Sequence, residues 1–243
     1  MATISHYRQR YHYLFWLITA CLLSHATTVA AADPLSPFRA KYEVARDDIA
    51  IGSLSYRLTQ ISNNTYQYES IKKPNGFVSL IKPDIIKETT RWQYHQDSIR
   101  PMLYTFSRTG GKKERFVEIN FDWQQRLARH RVNNKPWNLK IKPDTQDKLG
   151  YLLALMLDTS RGKDAMRYNI ADGGKLKHYA INVSGKETLK TELGSYDTVI
   201  VERNTPKKRT RIWLARKLGY VPVKIEHKDK HDVVYSMKIK EFH

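Results

Sequence analysis

From Phe38 onward, apolar residues recur at every second position in short runs bounded by turn residues, and this period narrows the fold more than any other feature of the chain. Phe38, Ala40, Tyr42 and Val44 share one face; after the Arg46-Asp47-Asp48 turn, Leu54, Tyr56 and Leu58 share another. The same rhythm runs through 66–68, 89–94, 99–106, 116–123 and 127–132, and returns at 166–170, 176–183, 187–193, 196–203, 209–215, 221–227 and 233–242. Successive side chains of a strand point to opposite faces, so such alternation marks strands with one face buried and one in water, the habit of antiparallel sheets. Asn63-Asn64, Thr109-Gly110-Gly111, Asn133-Asn134 and Asp172-Gly173-Gly174 supply hairpin turns between them. The expected fold is mainly β: a curved antiparallel sheet or open β-barrel, wired as a meander of hairpins.

One segment breaks the rhythm. Asp144-Thr145-Gln146-Asp147 opens the run from Leu149 to Leu157, which reads as a helix over about 144–158 with Asp144 or Thr145 capping its first amides. The helix is apolar nearly all round, which requires burial on most sides. It is expected either to plug the concave side of the sheet or to act as a lid over a ligand.

The first residues read as an export signal. Arg8 and Arg10 precede a short apolar run, Leu14 to Leu23, and small residues end at Ala30-Ala31-Ala32-Asp33. Cleavage is expected after Ala32 or Ala31, giving a signal peptide over 1–32 and one β-rich periplasmic domain over 33–243, with a two-lobe division near Lys142 as the alternative. The run is shorter than the ~20 residues of a membrane-crossing helix. Ile18-Thr19-Ala20-Cys21 also resembles a lipobox, so a lipid anchor through Cys21 is the alternative route. Cys21 is the only cysteine, which excludes an intramolecular disulfide.

The chain carries a net charge of +18; only Arg8 and Arg10 of its charged residues precede residue 33, and without those two the remainder carries +16. That balance favours anionic partners. No Ser lies in a nucleophile elbow and no Gly-rich loop has the phosphate-cradling pattern. The histidines lack the close spacing of metal ligands. The expectation is a non-enzymatic protein with no cofactor and no metal site. Basic residues gather in three stretches: Arg108, Lys112, Lys113 and Arg115 flank one hairpin, Arg126, Arg129 and Arg131 fall on one strand, and Lys207, Lys208, Arg209, Arg211, Arg216 and Lys217 surround Trp213. They are candidates for a basic docking surface. Leu152, Leu153 and Met156 of the helix, with Trp213 and Tyr220, are candidates for lining an apolar ligand site.

Phe38-Arg39-Ala40-Lys41-Tyr42-Glu43-Val44, Gly52 in the next strand, the leucine-rich helix, Gly194-Ser195-Tyr196-Asp197-Thr198-Val199, and Arg211-Ile212-Trp213-Leu214-Ala215 followed by Tyr220-Val221-Pro222-Val223-Lys224-Ile225 together resemble the bacterial family called domain of unknown function 3108. The resemblance spans nearly the whole chain after the signal and implies an exported, β-rich envelope protein of Gram-negative bacteria, with no catalytic residues to transfer. The Trp strand followed by a Pro-containing strand is also similar to periplasmic lipoprotein carriers, although Arg216 stands where such patterns often hold an acid. Two functions are expected. One is a carrier or binding protein for an amphiphilic or anionic envelope component such as lipid, lipoprotein or lipopolysaccharide. The other is a basic interaction module docking to peptidoglycan, anionic lipid or another envelope protein. An envelope hydrolase is a third reading, which a close carboxylate pair in a cleft would raise. Nucleic acid is not an expected partner.

Overall fold

The computed structural model describes residues 35–243; the signal-peptide reading of 1–32 and the Cys21 anchor lie outside the described residues. The strands are β1 (Phe38–Arg46), β2 (Ile49–Ser62), β3 (Thr65–Pro74), β4 (Ile85–His95), β5 (Ser98–Thr109), β6 (Arg115–Asp122), β7 (Leu127–Val132), β8 (Lys135–Lys140), β9 (Thr145–Asp147), β10 (Ala165–Asp172), β11 (Lys175–Thr191), β12 (Gly194–Thr205), β13 (Lys208–Ala215), β14 (Val221–Lys228) and β15 (Val234–Phe242). Two helices interrupt them, α1 (Phe77–Ile81) and α2 (Gly150–Ser160). Neither is long and apolar enough to cross a membrane.

All fifteen strands join one sheet, in the order β8-β7-β6-β5-β4-β3-β2-β1-β15-β14-β13-β12-β11-β10-β9. The fold is therefore the expected mainly-β meander, a large curved sheet that does not close by hydrogen bonds. β1 pairs with β2 on one side and with the last strand, β15, on the other. The two edges, β8 and β9, are consecutive in the chain. Trp137 of β8 nonetheless packs onto the β10–β11 turn: a Cβ on Gly174 would fall 2.1 Å from its Nε1, so only glycine fits there. The sheet thus curls until its two halves touch.

The helix differs from the sequence expectation at its start. Residues Thr145–Asp147 are extended and pair in parallel with Asn169, Ile170 and Ala171 of β10, and α2 begins only at Gly150. The N-cap residue is Leu149, and the side chain that takes up the first amides is that of Asp147, two residues before it, not Asp144 or Thr145. Its Oδ1 accepts the amides of Leu149 at 2.8 Å and Gly150 at 2.6 Å, and its Oδ2 accepts the Thr90 hydroxyl at 2.6 Å. Asp144 accepts instead from Asn169, and Thr145 accepts the amide of Lys142. A tight approach at Gly150, where a Cβ would sit 3.0 Å from the Asp147 carboxylate, makes the cap position specific. Three further elements differ from the alternation reading. The runs 176–183 and 187–193 are one strand, β11, bulged between Val183 and Gly185, and α1 and β8 went unread.

Inside the curved sheet the concave face is filled. Leu153, Leu155, Met156 and Leu157 of α2 are buried, as are Tyr42, Tyr56 and Tyr68 from three neighbouring strands and Trp92 from the next. The tyrosines form a ladder, with ring centroids 5.5 Å apart from Tyr42 to Tyr56 and 5.3 Å from Tyr56 to Tyr68. Burial pushes all three phenols above their ordinary range. Tyr42 Oη donates to the Pro222 carbonyl at 2.8 Å, tying β1 to β14.

Because α2 fills the interior, truncating Leu155 to Ala should cost about 2–5 kcal/mol, read by chemical denaturation. Two buried ionisable groups make opposite contributions with pH. His130, stacked on Trp137, is held down to about 4 by burial, so it weakens the fold as pH falls from 6.5 towards 4. Burial pushes the Asp147 carboxyl up to about 6 against its three hydrogen bonds, so it weakens the fold as pH rises from 3.8 towards 6. Between pH 4 and 6 the stability of His130→Phe should therefore fall and that of Asp147→Asn should rise, each by about 2–3 kcal/mol.

Candidate functional site

An antiparallel meander sends alternate turns to opposite ends of its strands, and β15 runs against β1. One end therefore collects the connections at 47–48, 75–84, 110–114, 133–134, 173–174, 206–207 and 229–233. Lys82, Lys112, Lys113, Lys207 and Lys230 lie on these turns outside any ion pair, with Lys73, Arg115, Lys135, Lys175, Lys208 and Arg209 beside them. Lys112, Lys113 and Arg115 are exposed on the β5–β6 loop. Lys207, Lys208 and Arg209 are exposed across the β12–β13 turn and, with Lys228 and Lys230, line an open cleft of about 550 Å³. The acids of this end are mostly engaged. Asp84 pairs with Arg108, Asp172 with Lys177 and Asp232 with Lys228, while Asp229 accepts the amides of His231 and Val233. The result is a basic rim, the arrangement that focuses a positive field outward.

Two of the predicted basic residues serve other ends. Arg108 grips Asp84 through two hydrogen bonds, Nε to Oδ1 at 2.7 Å and Nη2 to Oδ2 at 3.1 Å. This pair raises the guanidinium pKa and holds the carboxyl below its ordinary value. It fastens the 75–84 connection to β5, and the fit leaves no room for side chains on the neighbouring loop. A Cβ on Gly110 would meet the Pro83 carbonyl at 2.6 Å, and one on Gly111 would meet Asp84 Oδ1 at 2.0 Å. Arg211 lies away from the rim, on the outer wall, between Glu202 at 3.9 Å and Glu226 at 3.6 Å.

The five candidate ligand residues do not converge. Leu152, Leu153 and Met156 lie in the core. Trp213 projects from the face of β13 opposite to Ile212 and Leu214, where its Nε1 donates to Glu187 Oε1 at 2.5 Å and its ring lies under Lys224 and Arg211. Tyr220 sits in a left-handed turn at φ +63° and is half-buried. Inside the rim, Tyr104 Oη donates to Glu88 at 3.0 Å, and Lys148 approaches the same carboxylate at 3.6 Å while covering the Phe106 ring. Lys72 faces this cluster, and desolvation lowers its pKa while Glu88 pulls the other way. These groups close the interior at that end and leave a gap of only about 60 Å³.

What sequence reasoning missed is α1. Phe77, Leu80 and Ile81 are 72, 78 and 63 % exposed at the tip of the 75–84 connection, beside the basic loop. The i, i+3, i+4 spacing between Gly76 and Pro83 was the available signal, since it places all three on one side of a single helical turn. Gly111→Ala should push Asp84 off Arg108 and loosen this tip; amide hydrogen exchange over 75–84 should accelerate while that of β1 and β15 stays unchanged.

Among known proteins, no curated protein matches the chain. The crystal structure of a beta-barrel-like protein of domain of unknown function DUF1849 from Brucella abortus is similar in fold, with a TM-score of 0.58 and 12% sequence identity, covering 86% of this chain and 97% of that one. At that identity the likeness concerns the fold alone. The profile described as "Protein of unknown function (DUF3108)" matches residues 38–238, from the first strand to the last, and the chain belongs to that family.

Proposed function

We propose that this chain is a non-enzymatic binding protein of the bacterial envelope that works from its outside, docking through its basic rim onto an anionic envelope component. One observation carries the reading: the concave side of the sheet is occupied by α2, whereas Lys207, Lys208, Arg209 and Lys230 stand exposed around an open cleft on the outside, at the same end of the strands as Lys112, Lys113 and Arg115. A carrier that shelters an amphiphile inside needs a cavity, commonly ~300–1,000 Å³ with apolar walls. Leu153, Leu155 and Met156 stand where that cavity would be. The export signal read at 1–32 supports a periplasmic location, where phospholipid headgroups, lipopolysaccharide and peptidoglycan offer negative charge.

A carrier reading keeps two footholds: a cleft of about 240 Å³ lined by Leu35, Phe38, Met156, Leu218, Val221 and Phe242, and one of about 320 Å³ where Ala154 and Leu157 of α2 meet Ile99, Tyr168 and a wall that includes Asp97, Arg100, Asp158, Lys163 and Arg167. The first is smaller than an ordinary ligand site, and the second, at the lower limit of size, is walled mainly by charged and polar groups and not by the apolar side chains an amphiphile needs, which favours the docking reading.

Salt separates the two. Exposed charges lose sight of each other beyond ~10 Å at 0.1 M ionic strength and ~3 Å at 1 M. Binding to a soluble polyanion such as dextran sulfate, measured by titration calorimetry, should weaken steeply over that range. The triple variant Lys207→Glu, Lys208→Glu, Arg209→Glu should weaken it about tenfold or more at low salt. Salt-independent binding, or stoichiometric lipid retained by the protein in native mass spectrometry, would restore the carrier.

A further inference from the structure

We propose that α1 is a membrane wedge and that the surface onto which the basic rim docks is a bilayer of anionic phospholipid. This rests on the docking reading above and names its partner.

Scattered apolar residues on a surface need no explanation, but three large ones on one helical turn do. Phe77, Leu80 and Ile81 are each more than three-fifths exposed, and Ile85, just beyond the turn, is 39 % exposed. A five-residue helix cannot hold itself together. This one is presented by its surroundings: the Asp84–Arg108 clamp and the Gly110 and Gly111 contacts seat its connection against the β5–β6 loop. Its own polar groups are turned inward. The Ser79 amide and hydroxyl both bond to the Gly76 carbonyl, and the Lys82 amide bonds to the Val78 carbonyl. A segment that enters hydrocarbon must satisfy its backbone internally, and this turn does so for these groups.

The surroundings choose the partner. Lys73 and Lys82 flank the turn and are exposed, and the loop seated against it carries exposed Lys112 and Lys113 with Glu114 as its one acid. An apolar tip ringed by long cationic side chains complements a surface that is negative outside and hydrocarbon beneath. Lysines reach headgroup phosphates while their methylene stems stay with the apolar layer. The same basic groups collect at the membrane by ~1 kcal/mol per cation near an anionic surface. A protein groove accepting these three side chains would gain little from a collar of like charge.

The test is flotation of the protein with vesicles of phosphatidylethanolamine and phosphatidylglycerol, against vesicles of phosphatidylcholine alone, with dextran sulfate titration run alongside. The wild type should float with the anionic vesicles only. Phe77→Asp and Leu80→Asp, both at exposed positions, should each lower flotation about tenfold while dextran sulfate binding is unchanged. Lys112→Glu with Lys113→Glu should lower both. A nitrobenzoxadiazole probe on Leu80→Cys, in a Cys21→Ser background, should shift to the blue and brighten on the anionic vesicles. Wild-type flotation of Leu80→Asp, or a probe that stays in water on bound protein, overturns the wedge. Binding to dextran sulfate without flotation also overturns it, leaving the docking reading in place and pointing to a protein or glycan partner. Failure to bind either one removes both.

Discussion

One buried carboxylate decides how the interior of this protein is filled. Asp147 receives two amides from the start of α2 and a hydroxyl from β4, so the helix begins where the sheet wall stands and runs down the concave side. Burying a carboxyl is costly unless its lone pairs are matched, and burial, with Glu88 nearby, pushes the Asp147 carboxyl up to about 6 although its three hydrogen bonds pull the other way. With the helix anchored, its leucines occupy the space that a ligand would need.

The strands were legible because period two survives any amount of polar decoration on the solvent face, and the helix because nine nearly unbroken apolar residues have no strand reading. Its boundary was not legible. Asp144, Thr145 and Asp147 are equally good caps by residue type, and only the parallel pairing of Thr145–Asp147 with β10, set by residues some twenty positions later, selects the last of them. Trp213 was misplaced for a related reason. Alternation says that Ile212 and Trp213 face opposite ways, but an aromatic covered by Arg211 and Lys224 is as buried as one in the core. Burial and interior are different things in a single curved sheet with long charged side chains outside.

The basic rim was legible as composition and illegible as a site. Residues 108–115 and 207–209 are far apart in sequence, and it is the meander that brings their turns to one end. Arg108 shows the limit of reading charge alone. It is spent on Asp84, and its contribution is to set the position of the apolar tip beside it. Such a division, in which one cation shapes a surface and its neighbours charge it, follows from geometry that no count of lysines contains.

The pairing of β1 with β15 has a consequence for biogenesis. Ala40 meets Phe242, so the strand made first waits for the strand made last, and the middle of the sheet is its final seam. Contacts this distant in sequence are slow to form because the loop must be closed before they contribute. A sheet built in this way stays open at its middle until Phe242 has been made, however early the strands on either side of the seam have paired.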